Sequence, residues 1–209
     1  DQIENHFIKA MVGYNNEWGR NTYIQATARS LITPTVPDLS TTTGNQQTTG
    51  GRSHVALQGF FYRLNYIFKD RYLLETNGRY DGTSRFPSDS RYGFFPSVSV
   101  GWRISEEGFM SDTRNWLDNL KLRASYGTLG NQLLGDDYYP YISTMGSGQG
   151  PYIMSSGFIP YVSPAGLISP TLTWETVVAK NLGLDFTILN QKLDVSFDIY
   201  TRDTKDMLM

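Results

Sequence analysis

The sequence predicts an all-β fold: a segment of about seven strands from an antiparallel, up-and-down transmembrane β-barrel. The prediction depends on long alternating segments, on connections of unequal length and on aromatic residues near strand ends. Alternation is clearest between residues 54 and 104, where three strands follow one another. Every second residue is mostly apolar or aromatic, and the residues between them are mostly polar, which is the period-2 pattern of a two-sided strand. The first face carries Phe60, Tyr62, Leu64, Tyr66, Phe68, Tyr72, Leu74, Thr76, Gly78, Tyr80, Val98, Val100, Trp102 and Ile104.

The first turn and the strand lengths agree with a barrel. Phe68 and Tyr72 face the same side if residues 69–71 form a three-residue hairpin loop, which is a common class. About a dozen residues at roughly 3.3 Å each give strands of about 40 Å. Strands of globular domains usually have about 5–6 residues, whereas a tilted transmembrane strand needs about 9–11.

The N-terminal part of the chain is predicted to begin with a strand and continue less regularly. Ile8, Ala10, Val12 and Tyr14 alternate with Phe7, Lys9, Met11 and Gly13, with a weaker contrast in polarity than in the other strands. Residues 15–33 are predicted to hold a short helix, which the Thr-Pro and Val-Pro pairs at 33–37 would end. Residues 40–52 are polar and of low complexity, which predicts a mobile loop.

The C-terminal half continues the same pattern after a break. Residues 105–115 interrupt the alternation and predict a short helical turn or an irregular connection. A fifth strand is predicted at 120–126, and a long loop rich in Gly, Pro and Tyr at 130–170, with 139–144 extending a strand. The sixth and seventh strands, 182–188 and 193–199, are joined by a turn at 189–192.

The connections differ in length at the two ends of the predicted sheet. Both tight turns, 69–71 and 189–192, lie at one end together with 105–117, and the longest connections, 15–52 and 130–170, lie at the other end with 82–91. Outer-membrane barrels have short periplasmic turns and long external loops. We therefore assign 69–71, 105–117 and 189–192 to the periplasm. Two aromatic girdles are predicted: Tyr66, Phe68, Tyr72, Trp102 and Trp116 near the short turns, and Tyr80, Phe86, Tyr92, Phe94 and Trp174 near the long loops.

Composition excludes several classes of protein. No run approaches the roughly 18 apolar residues of a spanning helix, and the mean hydropathy of −0.37 is low, as expected when one barrel face is polar. The net charge of −2 offers no basic surface, so no nucleic-acid partner is expected. The sequence contains no cysteine, which excludes disulfides and thiolate sites. We expect residues 1–209 to be one segment of a longer barrel chain.

A soluble antiparallel sandwich is the main alternative fold, because it too alternates apolar and polar residues. Strand length, turn asymmetry and aromatic banding together favour the barrel. The functional alternatives are a soluble extracellular glycan-binding module of β structure and a passive porin-like channel.

Four segments resemble the barrel of SusC/RagA-type TonB-linked outer-membrane proteins. They are RYLLETNGRYDGTSRFPSDSRYGFFPSVSVGWRISEE (71–107), LDNLKLRASYGTLGNQ (117–132), LTWETVVAKNLGLDF (172–186) and LDVSFDIYTRDTKDML (193–208). The resemblance covers nearly the whole chain and is weakest at 15–52 and 133–170.

The resemblance implies a 22-strand barrel that imports oligosaccharides or peptides across the outer membrane, driven by TonB. It implies a SusD-like surface lipoprotein as partner, outer-membrane lipid around the barrel and contact with the TonB complex through an N-terminal region outside these residues. A second copy of the transporter is a further candidate partner. The plug domain and the closing strand of such a barrel are not among these residues.

The candidate contact residues follow from the polar face and the loops. Arg71, Glu75, Asn77 and Arg79 form a row that would face the lumen, and Asp81 and Arg85 lie at its rim. An ordinary hydrated barrel wall and a local turn explain the same residues. In the long loop, Asp136, Asp137, Tyr138 and Tyr139 are candidates for calcium or sugar binding, or for packing on the barrel itself.

No catalytic constellation is recognisable, so no enzyme activity and no cofactor are expected. His6 and His54 are the only histidines and have no ligand-like spacing. The glycines of 146–150 lack the strand-to-helix context and the lysine of a phosphate loop. Glu106 and Glu107 are interpreted as a solvated pair or a helix start.

Overall fold

The computed structural model describes residues 2–3, 5–133, 138–154, 157–168 and 172–207. The strands are β1 Gln2–Ile3, β2 His6–Ala28, β3 Gln46–Phe68, β4 Tyr72–Thr83, β5 Tyr92–Arg103, β6 Leu117–Asn131, β7 Ser147–Met154, β8 Gly157–Val162, β9 Glu175–Ile188 and β10 Leu193–Lys205. Short 3-10 helices occur at Leu39–Thr41, Ser88–Ser90, Ile104–Glu106 and Gly108–Thr113.

Eight of these strands form one antiparallel sheet in the order β1-β2-β3-β4-β5-β6-β9-β10. Every neighbour in the sheet is also the next sheet strand along the chain, as an up-and-down barrel requires. Because β1 has only two residues, the prediction of about seven strands is confirmed. The predicted three-residue hairpin is also confirmed, since Phe68 pairs with Tyr72 across residues 69–71.

The N-terminal hairpin is much longer than the sequence predicted. All 23 residues of β2 pair with β3, so the short helix predicted within 15–33 is wrong. The mobile loop predicted at 40–52 is also wrong from Gln46 onward, where β3 begins. Polar and apolar residues do not alternate in this part, and the backbone ladder to the partner strand overrides local sequence preference. The remaining connection, 29–45, holds the turn Leu39–Thr41, which Asp38 caps through the Ser40 amide.

Two predicted connections have different outcomes. The short helical turn predicted at 105–115, between the fourth and fifth predicted strands, is confirmed by the 3-10 helices within 104–113. The strand extension predicted at 139–144 is wrong. The long connection instead carries its own hairpin, in which β7 pairs with β8 as a separate two-stranded sheet.

The two ends of the sheet differ as the sequence predicted. The "short-turn end" comprises the connections 69–71, 104–116 and 189–192, and the "long-loop end" comprises 29–45, 84–91 and 132–174. Within the described residues, no helix is long and apolar enough to cross a membrane.

The two faces of the sheet have opposite character. The apolar face is largely exposed: Val12 is 83% exposed, Val100 50% and Ile199 59%. A soluble sandwich would bury such a face, whereas a barrel presents it to lipid. The polar face is concave, because residues from β2 and from β9 line one shared cavity on that side. The candidate site lies on this concave face.

Candidate functional site

Most of the predicted polar row lies together on the concave face. Glu75, Asn77, Arg79 and Asp81 project from β4 into one open cavity of about 630 Å³, which residues of β2, β3, β5, β6 and β9 also line. Their alternation along β4 places them on one side of the sheet. Arg71 does not line this cavity: it lies in the 69–71 turn, at the short-turn end, and pairs with Glu107.

Asn77 is the centre of the first polar cluster in this cavity. The Arg63 Nε donates to Asn77 Oδ1 at 2.7 Å, and Asn77 Nδ2 donates to Glu75 Oε1 at 2.9 Å and to Ser97 Oγ at 3.2 Å. The Arg63 guanidinium also lies 3.9 Å from the Glu75 carboxylate. Side chains from three neighbouring strands therefore neutralise and hydrogen-bond one another.

Arg79 and Asp81 form a second cluster closer to the long-loop end. Arg79 donates two hydrogen bonds to the Asp81 carboxylate, at 2.9 and 2.8 Å, and a third to Asn15 Oδ1 at 3.3 Å. Its guanidinium lies 5.6 Å from the centre of the Phe61 ring. This fork-like geometry fixes Arg79 against the sheet. A β-carbon at Gly59 would lie only 2.1 Å from Asp81 Oδ1, so glycine makes room for the pair.

A third cluster joins β6, β9 and β10, and the sequence analysis did not find it. Arg123 donates to both carboxylate oxygens of Asp185, at 2.6 and 2.8 Å, and to Asp198 at 3.3 Å. Ser196 completes it by donating to Asp185 at 2.9 Å. The signal was present in the sequence, because Arg123, Asp185 and Asp198 each occupy a polar position in an alternating strand. Detecting the cluster requires the strand register, which pairs Arg123 with Gly183 and Gly183 with Asp198.

Glu107 forms the centre of a hydrogen-bonded cluster at the short-turn end, where the sequence predicted a solvated pair with Glu106 or a helix start. The Tyr72 hydroxyl and the Trp102 indole donate to Glu107 Oε1 at 2.6 and 3.0 Å, and Arg71 donates to Oε2 at 3.2 Å. The hydrogen bond from Tyr72, followed by that from Trp102, holds the pKa of Glu107 below its ordinary value. Glu107 therefore ties the 104–116 connection to the ends of β4 and β5.

We expect Glu107→Gln to raise amide hydrogen exchange several-fold within residues 104–116. The substitution removes the charge that strengthens these hydrogen bonds and pairs with Arg71. Glu106→Gln is the matched control, because the Glu106 side chain is half exposed and its carboxylate lies 3.8 Å from the Arg114 guanidinium. Since the folded-state pKa of Glu107 is lowered, its stabilising contribution is present above the ordinary pKa and is lost as the pH falls through the lowered value. Lowering the pH should therefore raise hydrogen exchange within residues 104–116 of the wild type as well. Equal exchange in Glu107→Gln and Glu106→Gln would contradict the stabilising role of Glu107.

The long-loop end contains a buried aromatic cluster on the concave side. Phe86, from the 84–91 connection, is fully buried, and Trp174 and Phe95 are 7% and 8% exposed. The Trp174 ring centre lies 5.5 Å from that of Phe86 and 5.2 Å from that of Phe95. Its indole also donates to the Arg91 carbonyl at 3.2 Å. The prediction that Phe86 and Trp174 belong to an exposed girdle is wrong, because both side chains are buried. Trp174 packs on Phe86 and on Phe95 of β5, so the cluster holds the connections 84–91 and 132–174 against the concave side of β5.

The remaining predicted contact residues belong to the connections 84–91 and 132–174 of the long-loop end. The guanidinium carbon of Arg85 lies 5.0 Å from the centre of the Tyr138 ring, and the Tyr139 hydroxyl donates to the His54 carbonyl at 2.7 Å. These two tyrosines pack on the barrel's own residues, one of the two interpretations given above. Asp136 and Asp137 lie outside the described residues. Within the described part of the chain, no group of three or more His, Asp or Glu residues is arranged to hold a metal.

A family model described as "TonB dependent receptor-like, beta-barrel" matches residues 4–209. The chain belongs to this family. The barrel prediction and the outer-membrane location are therefore confirmed, and the soluble-module alternative is wrong. This family consists of outer-membrane receptors and not of enzymes, in agreement with the sequence analysis.

Similar proteins place the chain near the SusC/RagA branch of the family. It is 39% identical over 153 residues to the TonB-dependent receptor SusC of Bacteroides thetaiotaomicron, covering 73% of this chain and 15% of SusC. It is 31% identical over 206 residues to the TonB-dependent receptor P3 of Formosa agariphila, covering 97% of this chain and 20% of P3. A structure of the RagAB peptide transporter matches with a TM-score of 0.84 at 27% identity, covering 98% of this chain and 22% of that one. The chain thus spans about 15 to 22% of the length of these relatives.

Membership of the family gives the two faces of the sheet their meaning. In a TonB-dependent receptor barrel the exposed apolar face is the lipid-facing surface, and the concave polar face lines the lumen. The three arginine clusters are therefore clusters of the lumen wall. Each of these three arginines is paired with a carboxylate of the same wall.

Proposed function

We propose that this chain forms part of the barrel wall of a TonB-dependent importer of oligosaccharides or peptides in the outer membrane. A SusD-like surface lipoprotein is the proposed partner at the long-loop end. Contact with the TonB complex would be made by a region of the full-length protein outside these residues. On this proposal, the connections 69–71, 104–116 and 189–192 face the periplasm.

The observation that carries the proposal is the match to the RagAB peptide transporter over 98% of the chain, joined to the 39% identity with SusC. The lumen wall is compatible with passage of a polar solute, because it presents hydrogen-bonding side chains such as Asn77, Ser97 and Ser125 together with arginines whose charge is paired with carboxylates. Oligosaccharides and peptides both meet this requirement.

The proposal can be tested with the native full-length protein in its own cells. We expect the protein in the outer-membrane fraction, with a mobility on SDS gels that changes on boiling, as for a closed barrel. Nutrient uptake that depends on this protein should fall to background when tonB is deleted. A surface lipoprotein should co-purify with it.

Two results would count against the proposal. Uptake that depends on the protein but continues without TonB would indicate a passive porin-like channel. A protein recovered in the soluble fraction and unaffected by boiling would contradict the barrel itself.

A further inference from the structure

A groove lies on the lipid-facing side of the sheet, near the short-turn end. It has a volume of about 390 Å³, comparable to the volume of one acyl chain. Strand alternation places most of its lining side chains on the apolar face. They include Tyr66 from β3, Tyr72 from β4, Val100 and Trp102 from β5, and Leu122 and Ala124 from β6. Ala124, the smallest of these side chains, pairs directly with Val100, so a methyl group among taller side chains leaves the apolar face indented.

The polar tips of the three aromatic residues in this groove are already hydrogen-bonded within the barrel. The Tyr72 hydroxyl and the Trp102 indole donate to Glu107 Oε1 at 2.6 and 3.0 Å. The Tyr66 hydroxyl lies 2.8 Å from His6 Nδ1. These bonds hold the rings in place, so the barrel itself fixes the shape of the groove. They also leave no free hydrogen-bonding side chain among the described lining residues, so the groove matches an apolar occupant.

A cation lies beside the groove, at the end of the sheet. The Phe68 ring centre lies 6.2 Å from that of Tyr72, and the Lys69 Nζ lies 5.2 Å from the Phe68 ring centre. Because Phe68 belongs to the apolar face, the Lys69 ammonium lies on the same side of the sheet as the groove. Lys69 is exposed and takes part in no ion pair within the described part of the chain.

The charges around the 69–71 turn leave a positive surplus. Arg71 is paired with Glu107. Asp70 offsets one positive charge, but the Asp70 carbonyl also accepts from Arg103 at 3.1 Å, which brings a second cation to the turn beside Lys69. An anionic group at this end of the groove would therefore be attracted.

We propose that this groove binds one glycerophospholipid of the surrounding membrane, with its acyl chain lying over Ala124 and its phosphate at Lys69. The groove is continuous with the lipid-facing surface, so a membrane lipid reaches it within the plane of the bilayer. A lysine beside aromatic rings is suited to the interface, because its stem packs on apolar surface while its ammonium meets the headgroups. In the orientation proposed above, the lipid belongs to the periplasmic leaflet. This site is additional to the import function and needs no particular cargo.

The test uses the purified full-length protein, with any co-purifying lipoprotein, after removal of bound lipid in an uncharged detergent. The probes are a phosphatidylglycerol whose acyl chain carries a photoreactive diazirine, and a diacylglycerol with the same chains but no phosphate. Crosslinked residues are located by mass spectrometry. We expect saturable labelling of one lipid per barrel, concentrated at Val100 and residues 122–124, and several-fold stronger labelling by phosphatidylglycerol than by diacylglycerol.

Two substitutions separate the acyl chain from the phosphate. Ala124→Phe fills the groove and should lower this labelling about tenfold. Ala10→Phe is the matched control, because Ala10 is an exposed alanine on the same face that does not line the groove. Lys69→Gln should lower phosphatidylglycerol labelling about threefold and leave diacylglycerol labelling unchanged. Lys192→Gln is its control, at an exposed position in the other tight turn of the same end.

Three results would overturn the site. Equal labelling in Ala124→Phe and Ala10→Phe would indicate ordinary lipid contact along the apolar face. Equal labelling in Lys69→Gln and Lys192→Gln would remove the phosphate contact, and since Lys69 is exposed this comparison holds even if Ala124→Phe fails to fold. Labelling of the groove only after dilution to monomers would assign the groove to a second copy of the barrel. None of these results depends on TonB, so a failure of the import proposal leaves the lipid site intact.

Discussion

Phe86→Ala is expected to release the 84–91 connection from the barrel wall while leaving the strands in place. Phe86 is fully buried between a loop and the aromatic residues of the long-loop end. Truncating a buried phenylalanine costs about 3–5 kcal/mol in well-packed cores. A connection held by one small cluster can open locally, so we expect the cost to appear as local unfolding. Trp174 should lose its packing partner and its hydrogen bond to the Arg91 carbonyl together.

Hydrogen exchange of the full-length protein in detergent measures this effect directly. Residues 84–91 and 172–174 should lose protection in Phe86→Ala, and limited proteolysis should begin there. Phe109→Ala is the matched control, because Phe109 lies in the opposite connection and is 69% exposed. Phe86→Leu should retain most of the protection, since it keeps an apolar group in the site. Equal protection in all three variants would show that the cluster does not hold these connections.

The fold could be predicted from sequence wherever one strand face is apolar and the other polar. Residues 60–104 and 182–199 show this contrast, and their strands and turns were found. The contrast fades in 15–28 and 46–56, where both faces carry polar residues. There the strand exists because its backbone pairs with the other strand of the hairpin over its whole length. Such a ladder leaves no pattern in the side chains, so local sequence preference suggested a helix and a loop instead.

The lumen clusters were only partly predictable for a related reason. Glu75, Asn77, Arg79 and Asp81 occupy one strand, so alternation alone places them together. Their partners belong to other strands and become neighbours only through the strand register. Arg71 continues the alternation by number, but it lies in a turn and pairs with Glu107 outside the cavity. Alternation therefore locates a face of the sheet, whereas the contacts across that face depend on pairing.

Gly183→Ala is expected to break the Arg123 cluster without removing any of its charges. A β-carbon at Gly183 would lie 2.6 Å from Asp198 Oδ1 and 2.8 Å from the Arg123 guanidinium carbon. The guanidinium must then move away from the sheet, which separates it from both carboxylates. Hydrogen bonds to charged groups contribute about 1.5–3 kcal/mol each, and partial exposure of Arg123 lowers that value. We expect a net loss of about 1–2 kcal/mol in the free energy of unfolding.

Gly101→Ala supplies the control, because Gly101 pairs directly with Arg123 on the neighbouring strand and shares the same face. Its β-carbon would come no closer than 3.3 Å to the flexible end of Lys121, so this variant should unfold near the wild-type urea concentration. Arg123→Leu, which leaves Asp185 and Asp198 without their cation, should destabilise at least as much as Gly183→Ala. If Gly183→Ala and Gly101→Ala unfold at the same urea concentration, the close approach of Arg123 to the sheet does not stabilise the wall. If the urea concentration of unfolding falls only in Gly183→Ala and Arg123→Leu, glycine is required at position 183 because the Arg123 guanidinium lies flat over it.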